Sequence, residues 1–143
     1  MSTQRIGLVG SGSWAERTHA PALAAHPGVT FSGVWGRRPE AATALAAAHG
    51  VPAHSGEDGF ARLLETSDAL AFALPPDVQA PLATRAAEAG RHLLLDKPVA
   101  TDVASARALA EAVTAAGTAS VVFTTMRFAP SSAAWLAGPR RTG

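Results

Sequence analysis

Short apolar runs and longer mixed segments alternate along the chain. Arg5-Ile6-Gly7-Leu8-Val9 is compact, apolar and closed by glycines, the pattern of a strand buried on both faces. Similar runs cover 30–35, 51–54, 69–73, 92–95 and 120–125. Between them, helical segments are predicted over 14–26, 39–49, 57–65, 77–89 and 102–116. Pro21 interrupts the first and predicts a kink or an offset start. Pro39 opens the second, and Gly50 stands just past its end. Asp77 and Asp102 are placed to cap the segments they precede. Residues 126–143 are punctuated by proline and glycine and predict one turn, over 132–136.

Six apolar strands separated by helices call for an α/β fold, a parallel sheet covered on both faces. Right-handed crossovers make it doubly wound, with expected strand order 3-2-1-4-5-6. The expected domain covers 1–130 and leaves 131–143 as a tail. In such a sheet ligands bind at the carboxyl ends of the strands, near the order reversal between strands one and four. The informative residues therefore follow Val9, Trp35, Ala73, Leu95 and Thr125.

Composition narrows the chemistry. Among 143 residues, 48% are hydrophobic and 16% charged, so a packed core is expected. A net charge of +1 offers no field for nucleic acid or an anionic membrane. No cysteine is present, which excludes disulfides, thiolate metal sites and cysteine nucleophiles. No tyrosine is present, which excludes a tyrosine acid and with it the short-chain dehydrogenase mechanism. The five histidines are scattered without metal-ligand spacing. A strand-like run begins almost at Met1, so no signal peptide is expected, and no apolar stretch spans a membrane. The expected location is the cytoplasm. Alanine is abundant at 34 residues and blurs helix periodicity. The basic residues are eleven arginines and one lysine, so Lys97 stands apart.

After strand one comes Gly10-Ser11-Gly12-Ser13-Trp14-Ala15, a G-x-G-x-x-A turn between strand and helix. Gly10 permits the tight turn, Gly12 permits close approach of a pyrophosphate, and Ala15 permits close helix packing. The helix N-terminus adds free N–H groups. The plain alternative is an ordinary glycine turn. Trp14 is placed to border a cofactor, whereas Trp35 and Phe72 are expected in the core. After strand two comes Gly36-Arg37-Arg38, with no carboxylate to bind a ribose 2′-hydroxyl. Two guanidiniums there suit a 2′-phosphate, which favours NADP over NAD; the alternative is a solvated arginine pair. A methyltransferase also begins with a glycine-rich turn, but it wants an acid where Gly36 stands. Leu74 and Pro75 after strand four form either a rigid cofactor wall or a simple turn. After strand five, Asp96-Lys97-Pro98 puts a lysine beside a carboxylate at the binding edge. It is either a proton donor, with Asp96 holding its ammonium, or an exposed ion pair.

These motifs together resemble the glucose–fructose oxidoreductase / inositol dehydrogenase (Gfo/Idh/MocA) family. The resemblance runs through Gly10 to Ala15, Ala73-Leu74-Pro75-Pro76-Asp77-Val78-Gln79, Leu95-Asp96-Lys97-Pro98-Val99-Ala100 and Met126-Arg127-Phe128. It covers nearly all of 4–130. It implies a Rossmann domain using NAD or NADP, a sugar- or polyol-like substrate, Lys97 as the catalytic lysine, and Arg127 beside cofactor or substrate. Asp96 replaces the family's usual glutamate, and Gln79 stands where many members have histidine. The family's second domain, which carries substrate contacts, is expected to be missing from this sequence. The chain then reads as the cofactor half of an oxidoreductase, either a truncated product or one half of a split enzyme that a partner chain would complete, or as a non-enzymatic NADP-binding module; a partner chain or a homo-oligomer is the expected association.

Overall fold

The computed structural model describes residues 3–138; the last part of the expected tail, 139–143, lies outside them. The strands are β1 (Gln4–Val9), β2 (Val29–Trp35), β3 (Ala53–His54), β4 (Ala69–Phe72), β5 (His92–Asp96) and β6 (Ser120–Phe123). All neighbouring pairs are parallel. Their order is β3-β2-β1-β4-β5-β6, as the sequence predicts. The helices are α1 (Ala20–Ala25), α2 (Pro39–His49), α3 (Gly56–Thr66), α4 (Pro76–Glu88), α5 (Val103–Ala116) and α6 (Pro130–Ala137).

Alternation along each strand divides the core in two. Val9, Trp35, Leu70, Phe72, Leu93 and Leu95 meet Phe60 and Leu63 of α3 and the alanines of α4 on one face. Ile6, Leu8, Val34, Ala69 and Ala71 meet α1 and α2 on the other. Trp35 and Phe72 are buried as expected. The Trp35 indole stands edge-on to Phe60 at 5.6 Å and donates to the Gly56 carbonyl at 2.8 Å. Truncating a buried aromatic such as Phe60 to alanine costs about 3–5 kcal/mol. Gly7 is required by packing, since a Cβ there would lie 2.8 Å from Leu63 and Leu70 side-chain carbons.

Three local expectations need correction. The first helical segment is not simply kinked: a π-helical turn at Ala15–His19 runs into α1. Pro21 lacks an N–H and its ring crowds the turn before it, so the backbone widens there. The Ala20 N–H accordingly reaches back to the Ala15 carbonyl. Asp77 does not cap α4; Pro75 holds the cap position without a side-chain bond, and Asp77 falls in the first turn. Pro76 starts this helix one residue early because its fixed φ suits the first position. Asp102 does cap α5, accepting from the Ser105 N–H at 2.8 Å. After β6, a 3₁₀ turn at Thr125–Phe128 leads into α6, eight residues long rather than one turn, started by Pro130 and carried by alanines.

Candidate functional site

The carboxyl edge of the sheet is held by the strand ladder itself. Gly10 N–H donates to the Trp35 carbonyl at 2.8 Å, Ala73 N–H to Val9 at 2.9 Å, and Gly36 N–H to His54 at 3.1 Å. These bonds fix the turns after β1, β2 and β4 side by side. Gly10 has φ 136°, and a Cβ on it would strike the Ala73 carbonyl, so only glycine turns there. Gly12 has open space where a Cβ would be. The first helical hydrogen bond runs from Glu16 N–H to the Gly12 carbonyl at 3.0 Å, so the preceding N–H groups have no helical partner.

A cleft of about 540 Å³ opens on this edge. Ser11, Gly12, Arg37, Arg38, Leu74 and Pro75, all read from the sequence, line it together. Ala73 also lines it. Gly36 is buried, and a Cβ on it would collide with the Ser11 side chain. Thus the end of β2 carries no side chain where a carboxylate would have to sit. Arg37 and Arg38 are exposed at the rim. The set fits a dinucleotide phosphate: an open glycine floor, two guanidiniums and an apolar wall.

The other sequence-read residues, Gly10, Ser13, Trp14, Asp96, Lys97 and Arg127, do not line this cleft. Gly10 is buried in the turn, and Ser13 is exposed at the helix start. Trp14 is exposed and borders a separate apolar groove of about 450 Å³ on the α1 face, with His19, Asp96 and Phe123. Buried His19 is edge-on to Trp14 at 6.3 Å and tilted against Phe123 at 5.7 Å. Burial pushes its imidazole below the ordinary value, and Asp96 partly opposes this. Lys97 is exposed at the end of β5, and its bond to Pro98 is cis. Arg127 is exposed on the 3₁₀ turn after β6, its N–H bonded to the Thr124 carbonyl at 2.8 Å.

Asp96 does not hold the Lys97 ammonium. Its Oδ1 accepts from the Lys97 backbone N–H at 2.9 Å, a short-range turn that spends the carboxylate locally. Among the described residues the ion pairs are Arg5–Asp68 and Arg85–Glu57. Gln79 was legible in the sequence only as a departure from the family pattern. In the structure it is fully buried and bonded to the backbone around Lys97. Among the described residues no group of three His, Cys, Asp or Glu side chains could hold a metal, and no helix is long and apolar enough to cross a membrane.

A doubly wound parallel sheet with a G-x-G-x-x-A turn opening on a cleft at its carboxyl edge defines a dinucleotide-binding Rossmann domain. The chain belongs to the Gfo/Idh/MocA oxidoreductase family: residues 4–124 match its NAD-binding Rossmann fold. It is 35% identical over 103 residues to galactose 1-dehydrogenase of Pseudomonas fluorescens, covering 68% of this chain and 30% of the relative. It is 39% identical over 97 residues to dTDP-3,4-didehydro-2,6-dideoxy-alpha-D-glucose 3-reductase of Streptomyces antibioticus, covering 66% and 29%. The fold superposes on a 3-ketoreductase from Actinomadura kijaniata, solved with TDP-benzene and NADP, with TM-score 0.84 and 27% identity over 94% of this chain and 42% of that one. The chain thus spans about a third of the curated relatives and under half of this solved neighbour.

Proposed function

We propose that this chain is the cofactor-binding part of an NADP-dependent oxidoreductase acting on a sugar- or polyol-like alcohol or carbonyl compound. The observation that carries the reading is the cleft in which Ser11 and Gly12 face Arg37 and Arg38, with side-chain-free Gly36 between them. A 2′-phosphate finds two guanidiniums at that rim, and a ribose hydroxyl finds no carboxylate. The relatives' sugar and nucleotide-sugar substrates support the substrate class.

The bound dinucleotide supplies hydride chemistry. This chain's residues do the rest. The turn after β1 receives the pyrophosphate on backbone N–H groups, and Leu74 and Pro75 wall the cleft. Lys97, on the same sheet edge, holds or gives up a proton at Nζ as charge develops on the substrate oxygen. Lysine exchanges that proton where arginine effectively does not. Arg127 lies beyond β6, where substrate or cofactor would extend. The remaining substrate wall comes from a partner chain, a second copy or further polypeptide, and the proposed location is the cytoplasm. A binding module without turnover is the second reading, favoured by the exposure of Lys97.

Titration of the purified chain with NADPH and NADH tests the cofactor assignment. NADPH is expected to bind more tightly. Arg37→Ala with Arg38→Ala is expected to weaken NADPH by about 1.5–3 kcal/mol, roughly ten- to hundredfold, while NADH changes little. Unchanged discrimination in the double variant would refute the assignment.

A further inference from the structure

Gln79 is the fully buried long polar side chain of the core. It lies in the first turn of α4, where its own N–H donates to the Pro75 carbonyl at 2.8 Å. Pro75 walls the dinucleotide cleft. From this position the Gln79 amide reaches across to the turn after β5. Its Oε1 accepts from the Asp96 N–H at 3.0 Å. Its Nε2 donates to the Asp96 carbonyl at 2.9 Å and the Val99 carbonyl at 3.2 Å, with the Pro98 carbonyl at 3.4 Å. The acceptor bond fixes which end of the amide is which. One side chain therefore clasps the backbone on both sides of Lys97, whose own N–H is tied to Asp96 Oδ1.

A surface lysine on an unheld turn would sample many positions. Here the turn is anchored from below by a buried amide on the helix that also carries the cleft wall. We propose that Gln79 is a positioning residue: it locks residues 96–99 to the dinucleotide cleft, so that the Lys97 ammonium is presented at a fixed place relative to the bound cofactor. This rests on the reading of Lys97 as the proton-handling residue. The chemistry needed at position 79 is one acceptor and at least one donor in a buried site. Glutamate keeps the size and the acceptor but sets a carboxylate against three carbonyl oxygens. Neutral histidine keeps one donor and one acceptor.

The sequence offers a direct probe, because Lys97 is its one lysine. Reductive methylation of the full chain with ¹³C-formaldehyde labels Lys97 and the N-terminal amine, and preserves their charge. In the wild type, the Lys97 resonance is expected to shift on addition of NADP⁺. In Gln79→Glu, NADP⁺ affinity measured by fluorescence should stay within about threefold, since the phosphate contacts are untouched, while the Lys97 shift is lost. In Gln79→His, the shift should return. A Gln79→Glu chain that binds NADP⁺ and keeps the full shift overturns the proposal. If both variants fail to fold by circular dichroism, Gln79 is a requirement of the fold and the positioning role is overturned. If the wild type binds NADP⁺ without moving the Lys97 resonance, the reading of Lys97 fails first and the proposal with it; that result is distinguishable because no variant is involved.

Discussion

His19 shows how one residue couples stability to pH. It is buried between Trp14 and Phe123, and burial holds its folded pKa below the ordinary 6.5. Asp96 favours the proton, but burial dominates. The unfolded chain therefore takes up the proton first as pH falls through about 6.5. Stability is unaffected above that point and declines below it until the folded value is reached. Urea midpoints of the wild type and His19→Gln should accordingly converge as pH falls from about 7 to 5. A constant difference would mean that His19 titrates normally. Asp68 has the opposite sign. Hydrogen bonds from Arg5 depress its pKa to about 2, so its contribution is present above the ordinary carboxylate value and disappears as pH falls toward 2. Both partners are exposed to solvent, which screens the pair and keeps its contribution small.

At the scale of an element, the turn after β1 separates two uses of glycine. Gly10 serves the fold: its positive φ and the Ala73 carbonyl against it leave no room for a Cβ. Gly10→Ala should cost about 2–4 kcal/mol, strain and overpacking together, seen as a lower urea midpoint. Gly12 has no such duty to the fold, since a Cβ there meets nothing in the protein, and under the proposed function its free space takes the ligand. Gly12→Ala should leave the urea midpoint nearly unchanged yet weaken NADPH by at least roughly tenfold, the loss of about one close contact. Equal effects on stability from the two variants would contradict this division. The G-x-G-x-x-A pattern revealed that two glycines matter. It did not reveal which one the fold itself requires, because that depends on where β4 ends.

For the whole molecule, the two sheet edges differ. β3 is two residues long and offers little to pair with. β6 is the other edge, with Val121 52% and Val122 40% exposed, and Trp135 beyond it is 81% exposed. An unpaired strand edge with exposed apolar side chains pairs with another chain. A chain of these 143 residues should therefore scatter light above its monomer mass as concentration rises, and Val121→Lys should reduce the effect. A strict monomer at high concentration would contradict the expectation.

The sequence by itself determined the order of elements, the sheet they build and the strand ends where chemistry gathers. Apolar runs of strand length, separated by helices, leave one economical topology. Gly10, Gly12, Arg37, Arg38, Leu74 and Pro75 were legible because each follows a strand directly. The tertiary structure alone decided the pairings across the chain. Gln79 meets the backbone of residues 17 to 20 positions away, and Gly36 is fixed by contact with Ser11 on a different strand end. Asp96 was read as a partner for the lysine ammonium, but the turn's own N–H is nearer and takes the carboxylate. Pro21 signalled a disturbance, and its form as a π turn, with the Ala20 N–H reaching back to the Ala15 carbonyl, is visible only in the structure. Hydrophobic burial has a period that sequence displays. A buried hydrogen bond has none: its partner is chosen by distance and direction once the layers have packed, so it is visible only in three dimensions.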